Sequence, residues 1–433
     1  MKQMKKEILY IEPVFKQMIW GGEKLGSEWN YAVPGEKTGE CWGIAAHPNG
    51  DCVIHGGSYG GKTLSQLWTE HPELFGNVDS KVFPLLVKII DARQDLSIQV
   101  HPDNEQAKKW ENQNGKTEMW YVVDAGKDAR ITYGVKEDIS KDELSEAIKN
   151  NTVENLLNTV PSKKGDVFFV EAGTIHAIGK DNLIAEIQQN SNVTYRLYDY
   201  DRRGKDGKPR ELHIEKGVKA SNTVKSAVRS IPDCSDGTRM IGSCEYFQVK
   251  ELILSKNTYS LNCDERSYTV LLQTSGESVL SYGDKKINIS AGEAVFLGAG
   301  FGKYNVEGSG IMLTVNNPPR YFIGIDLGGT NIAAAVVDEY GVIYGRAKKK
   351  TNAPRPYNEI FDDMAQCARD CAEASGIPFE DIEAVGIGCP GSIDQRTGVI
   401  EFSNNLANLT IFIIIRKTIQ VLLASVMVYG KFV

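Results

Sequence analysis

Gln99 and His101 stand two residues apart in the stretch SIQVHPDN, which reads as a buried strand. Side chains two apart on a strand share a face, so an amide and an imidazole would converge on one small volume there, which suits a ligand or a metal. A second histidine and a carboxylate stand out for a different reason, an internal repeat. GDVFFVEAGTIHAIG sets Gly165, Gly173 and His176 at offsets of zero, eight and eleven, and GEAVFLGAGFGKYNV sets Gly292, Gly300 and Lys303 at the same offsets. Each is preceded by a hairpin-like strand: Glu118 lies eight residues before Gly126 in the first copy, and Tyr268 eight before Gly276 in the second. The second copy keeps the glycines and loses both polar residues. Glycines recur because tight turns need positive φ, whereas the backbone has no need of His176 or Glu118.

The elements that must position these groups lie in a chain of 433 residues, long enough for two or three domains, with 41% hydrophobic and 24% charged residues. A net charge of -7 leaves no basic footprint for nucleic acid. The N-terminus MKQMKKEILYIEPVF lacks the apolar run and small-residue cleavage site of a secretory signal, so a cytoplasmic protein is expected. The eight cysteines are scattered without CxxC spacing, and Cys367 and Cys371 share one face of a helical pattern; they read as reduced structural thiols. His47, His55, His71 and His213 each stand alone beside turn or surface chemistry.

From residue 1 to about 240 the text is strand-rich and carries all six tryptophans. A helical insertion is expected near 137–160, opened by a capping box of Ser140 and Glu143. Short alternating strands fill 241–317, and NNPPR marks a boundary before a different pattern begins at Tyr321.

The glycine and histidine spacing at Gly165, Gly173 and His176 resembles the cupin superfamily of jelly-roll barrels. In the first cupin motif the paired histidines stand as Gln99 and His101. With IWGG (19–22), GECWGI (39–44), LSIQVHPDN (96–104), GKTEMWY (115–121) and GTIHAIG (173–179), residues 7–315 resemble the type I mannose-6-phosphate isomerases. The fold this implies is mainly β, with two cupin-type barrels. The first, over 1–240, is catalytic and carries the insertion; the second, over 241–317, has Tyr268 and Lys303 in place of Glu and His and is expected to hold no metal.

The resemblance implies a four-ligand site of Gln99, His101, Glu118 and His176, an N and O donor set that zinc accepts, with one Zn²⁺ per chain acting as a Lewis acid. Mn²⁺ or Fe²⁺ stays open on ligand type alone. The reaction it implies interconverts mannose 6-phosphate and fructose 6-phosphate through an enediol, by proton transfer between C1 and C2. In EIQQNSNVTYR the family's ten-residue interval implies Arg196 as the cation beside the sugar; its guanidinium is no easy base, so Glu186 is the candidate proton carrier. Lys116 and Ser97 match positions that contact substrate and phosphate.

YFIGIDLGGTNIAAAVVDEYGVIYGR, with AVGIGCPGSIDQRTGVIEFSNNL, resembles the N-terminal part of a ROK-family sugar kinase, an incomplete α/β actin-like half-domain over 321–409. Asp326, Gly328, Gly329, Thr330 and Asn331 match that family's ATP-phosphate loop, where glycine lets backbone N–H groups approach phosphate. The family's later catalytic Asp and cysteine-rich motif do not follow, so an inactive, vestigial loop is expected. The apolar tail 410–433 is split by Arg416 and Lys417, too short a run for a membrane span, and reads as an out-of-register or truncated gene end. The expected partner is a sugar phosphate, with no nucleic acid and no membrane. The competing reading is a non-catalytic sugar-phosphate-binding cupin whose ROK-like piece is an interaction module.

Overall fold

The computed structural model describes residues 7–402, except 30, 77, 79, 205–206, 227–236, 340, 389–391 and 395–398. The tail 410–433 therefore lies outside the described residues. The chain divides into two compact units, residues 1–317 and 318–433.

The first unit is built from three sheets. A seven-stranded sheet runs in the order Val167–Val170, Glu118–Ala125, Asn182–Gln189, Leu85–Ala92, Val14–Gly22, Thr38–His47, Gly50–Asp51. All eight residues of Leu85–Ala92 and of Asn182–Gln189 are buried, because both faces of this sheet are covered. On one face Leu85, Val87, Ile89, Met119, Tyr121 and Ile187 join Phe247, Val270 and Leu313 in a core. On the other, Ile90, Trp120, Val122 and Ile184 meet Ile131, Tyr133 and Ile178 of a five-stranded sheet. That second sheet runs Leu157–Pro161, Arg130–Val135, His176–Ile178, Ile98–Val100, Tyr195–Tyr198.

The third sheet has eight strands. The strands between Thr238 and Asn316 supply most of it, and Ile8–Glu12 and Val53–His55 from the start of the chain complete it. Ile8 pairs with Leu297 and Tyr10 with both Val295 and His55, so the N-terminal strand lies in the sheet of the most distant part of the unit. The repeat seen in the sequence has a backbone cause: Gly165, Gly173, Gly292 and Gly300 have φ of +88°, +90°, +92° and +77°.

The insertion is shorter as a helix than its pattern suggested. The α-helix spans Lys141–Lys149, and both capping-box hydrogen bonds between Ser140 and Glu143 are present. Asn151 then turns left-handed at φ 55°, a 3-10 turn follows at Val153–Leu156, and Leu157–Pro161 pairs as a strand with Arg130–Val135. Strand pairing there outweighs the helical period.

The second unit contains a four-stranded sheet in the order Ile343–Lys350, Asn331–Asp338, Tyr321–Leu327, Ile382–Gly388, and a two-stranded one of Ser392–Asp394 and Val399–Phe402. Tyr321–Leu327 pairs antiparallel with Asn331–Asp338 and parallel with Ile382–Gly388, the latter through a crossover that contains the helix Tyr357–Ser375. That helix buries Ile360, Met364, Cys367 and Cys371 against Ile323, Ile325, Ile332 and Val336. No helix among the described residues is long and apolar enough to cross a membrane.

Candidate metal centre

Strand pairing assembles the site. His176 is paired with Gln99, and Gln99 with Arg196, so three side chains from three neighbouring strands project from one face of the five-stranded sheet. Glu118 comes from the facing seven-stranded sheet, two residues from Trp120 on the same face. His101, just past the strand Ile98–Val100, completes the set. His101, Glu118 and His176 are all buried, with their ligand atoms within 4.8 Å of one another.

The tautomers follow from the hydrogen bonds. Nδ1 of His101 lies 2.8 Å from the Val193 carbonyl and Nδ1 of His176 2.8 Å from the Thr174 carbonyl; a carbonyl only accepts, so both Nδ1 atoms carry the hydrogen. Each Nε2 therefore presents a lone pair, and each lies 3.5 Å from a Glu118 carboxylate oxygen. Acceptor faces acceptor, and Glu118 Oε1 has no donor. Positive charge in the pocket relieves this repulsion. Lys116 supplies part of it, with Nζ 2.5 Å from Glu118 Oε2 and 3.2 Å from His101 Nε2.

Burial lowers the pKa of both imidazoles, that of His176 to about 4, with the Lys116 ammonium adding to the effect at His101. Both are neutral at ordinary pH, the form that binds a metal. Burial raises the pKa of Glu118, and the nearby charge of Glu186 raises it further. A cation in the pocket would reverse that, so the donor set fits a divalent ion: two neutral imidazoles and one carboxylate. Gln99 turns its amide nitrogen toward His176 Nε2 at 3.4 Å and its oxygen toward the Ser97 hydroxyl at 3.4 Å; turning the amide over would exchange the two.

A chain of alternating charge, buried as far as Lys88, runs outward from the triad. Lys116 lies 3.8 Å from Glu186, Glu186 3.0 Å from Lys88, and Lys88 4.0 Å from Glu40. The Trp120 indole N–H donates to Glu186 Oε2 at 3.0 Å, and the Trp120 ring packs edge-on against His176, centroids 5.3 Å apart. Burial alone would raise the Glu186 pKa, but Lys116 and Lys88 outweigh it and hold the carboxyl ionised. Ser97 is buried two residues from Gln99.

Arg196 donates through Nη1 to the Glu211 carbonyl at 2.8 Å, and its buried Nε has no hydrogen-bond partner. Asp199, three residues on, holds Arg202 and Arg210 at 2.5 Å each. His213 is less isolated than its sequence context suggests, since its Nδ1 accepts the Arg196 backbone N–H at 3.2 Å. His55 and His71 are near the surface beside Glu12 and Glu73, and His47 Nδ1 accepts the Asn49 amide.

In the repeat's second copy, Tyr268 is fully buried, stacked on Phe296 with its hydroxyl on Asn317, and Lys303 is exposed. Lys88, Glu40, Trp42 and Trp120 were not picked out individually from the sequence. The available signal was a single lysine inside the apolar strand LLVKIIDA. In the second unit Asp326 is exposed near the end of its strand, and Gly328 to Asn331 form a turn closed by the Gly328 N–H on the Asn331 carbonyl at 2.8 Å. Thr351 ties that turn down, its hydroxyl donating to the Gly328 carbonyl at 2.6 Å.

Residues 8–127 match the family described as phosphomannose isomerase type I, catalytic domain; residues 237–317 match the mannose-6-phosphate isomerase cupin domain; and residues 322–416 match the ROK family. Mannose-6-phosphate isomerase ManA of Bacillus subtilis is 42% identical over 315 residues, 70% of this chain and 97% of that protein. A crystal structure of the mannose 6-phosphate isomerase from Bacillus subtilis, 38% identical, superposes with a TM-score of 0.67 over 71% of this chain and 99% of the other. The glucokinase of Thermotoga maritima is 32% identical over 88 residues, 20% of this chain and 26% of that protein.

Proposed function

The chain belongs to the type I mannose-6-phosphate isomerases, followed by a ROK-family segment, and we propose on that premise that residues 1–317 interconvert mannose 6-phosphate and fructose 6-phosphate. The observation that carries the reading is the buried meeting of two imidazole lone pairs with an undonated carboxylate oxygen at His101, His176 and Glu118. These three, with the Gln99 amide oxygen as fourth donor, would hold Zn²⁺. Bound there, zinc supplies Lewis acidity that polarises a sugar carbonyl or hydroxyl oxygen.

The remaining steps fall to the chain's own side chains. Moving a proton between C1 and C2 through an enediol needs a group that accepts it from one carbon and returns it to the other. Glu186 is the candidate: it lies in the buried cluster beside Lys116, and its surroundings keep it ionised, the form that accepts a proton. Arg196, with a buried Nε to spare, would stabilise the negative charge that develops on the sugar oxygens. Lys116, beside Glu118 and within reach of Glu186, and Ser97, beside Gln99, are the proposed substrate contacts. The cupin-type barrel description and the division near residue 240 belong to this reading, in which the second, metal-free portion braces the first. The ROK-like segment takes no part in the reaction.

A coupled assay that follows fructose 6-phosphate formed from mannose 6-phosphate, with and without chelator, tests the proposal. Activity lost on chelation and restored by zinc is the expected result. Full turnover by chain shown to carry no metal would overturn it.

A further inference from the structure

The GECWGI motif is not accounted for by the metal-facing cluster. Glu40 and Trp42 contribute no atom to it, yet the strand pairing puts Trp42 in one row with the site's charged groups. Trp120 is paired with Glu186, Glu186 with Lys88, and Lys88 with Trp42, so one rung across four strands carries all four side chains on the site-facing side of the sheet. Glu40 is two residues from Trp42 on that same face.

Lys88 sits at the centre of this rung, buried, and no surface lysine would be placed so. Its Nζ is 3.0 Å from Glu186 Oε1, 4.0 Å from Glu40 Oε2 and 5.3 Å from the centre of the Trp42 ring. The Trp42 indole N–H in turn donates to Glu40 Oε2 at 2.6 Å, which fixes the carboxylate relative to the ring. A carboxylate and an aromatic face are thus both presented to one ammonium from the side away from Glu186. Removing Glu40 would leave Lys88 with Glu186 as the carboxylate that holds it, and removing Trp42 would take away both the ring and the donor that fixes Glu40. Were the ammonium then to shift, Glu186 would keep the Trp120 donor on Oε2 but lose the close ammonium on Oε1, and with it the second point that fixes the plane of its carboxylate.

We propose that Glu40 and Trp42 are positioning residues for the reaction, which hold the Lys88 ammonium against Glu186 and thereby fix the Glu186 carboxylate in the geometry that proton transfer needs. The proposal rests on the isomerase reading above. It makes Glu40, Trp42 and Lys88 one device that acts through Glu186, separate from metal binding. Their removal should slow turnover without loosening substrate or metal.

The test measures kcat and KM for mannose 6-phosphate, bound zinc per chain and Tm, for the wild type, Glu40→Gln, Lys88→Met, the double variant and Trp42→Phe. Glu40→Gln and Lys88→Met should each lower kcat roughly tenfold or more, with KM and zinc content within about twofold of wild type. The double variant should be no slower than the worse single one, because groups that act as a unit are not additive. Trp42→Phe keeps the ring but loses the indole N–H, so it should fall between wild type and Glu40→Gln; it serves as the conservative probe if the charge variants fold poorly. A Glu40→Gln or Trp42→Phe chain with wild-type kcat would overturn the proposal, as would a double variant whose loss is the product of the single losses. A wild-type chain that turns over no mannose 6-phosphate would overturn the isomerase reading and this proposal together.

Discussion

At the scale of the residue, the sequence made Gln99 and His101 legible through their spacing on one strand, and His176 and Glu118 because two copies of one repeat could be compared. Gly165, Gly173, Gly292 and Gly300 recur because the backbone takes positive φ there, and where one copy has His176 and Glu118 and the other Lys303 and Tyr268, chemistry separates them. His101, Glu118 and His176 do meet in space. Lys88, Glu40 and Trp120 were not individually legible, since their significance comes from strand pairings between residues tens of positions apart. His176→Ala removes one of the proposed zinc donors and should abolish isomerisation while the sheet pairing survives. Zinc per chain measured with activity checks this, and full activity in metal-depleted His176→Ala chain would contradict the assignment. Asp199 supports a pH prediction. Burial works to raise its pKa, but hydrogen bonds from Arg210 and Arg202 prevail and hold it below the usual carboxylate value. A carboxyl depressed in the folded state adds stability above its unfolded pKa of about 3.9, which is lost as pH falls through the folded value. Asp199→Asn should therefore lower Tm near pH 7, and the deficit should shrink on acidification below about pH 4; a deficit independent of pH would contradict this.

At the scale of the element, the insertion shows how a segment without site residues supports the site. The helix Lys141–Lys149 buries Leu144 and Ile148 in one cluster with Ile98, Val100, Ile175, Tyr195 and Leu197. Those residues alternate along their strands with Gln99, His176 and Arg196, so the helix braces the back of the sheet whose front carries the proposed ligands. Its start was legible, because a capping box is local: the Ser140 hydroxyl accepts the Glu143 amide at 3.1 Å and the Glu143 carboxylate accepts the Ser140 amide at 2.7 Å. Its end was not, because the strand Leu157–Pro161 depends on a partner at Arg130–Val135. Ser140→Ala should cost about 1 kcal/mol of stability, seen as a lower Tm. Activity should stay near wild type, since the apolar contacts remain; an unchanged Tm would show that the cap contributes nothing.

At the scale of the whole molecule, the question is which part of the chain the proposed chemistry needs. Every group assigned to it lies between Glu40 and Arg196, within the unit that ends at Asn317. That unit closes on itself in sequence terms: Ile8–Glu12 pairs with Ala294–Leu297, and Gln248–Cys263 pairs with Gly302–Asn316, so its first and last strands belong to one sheet. This closure was not legible, because a seven-residue separation and a nearly three-hundred-residue one look alike in an alternating pattern; only the pairing distinguishes them. The segment from Tyr321 has its own sheet and its own core, drawn from its own residues. A domain with a separate core can in principle fold alone. Deleting residues 318–433 should therefore leave a folded chain with kcat and KM for mannose 6-phosphate within about twofold of the full chain. Deleting residues 1–12 should do the opposite. It removes Leu9 from the main core and exposes the edges of Ala294–Leu297 and Val53–His55, so Tm should fall even though no site residue is touched. Circular dichroism melts and the coupled assay on both truncations decide the matter. A soluble, folded 1–317 chain that binds zinc but cannot turn over substrate would mean that the C-terminal segment takes part in the reaction.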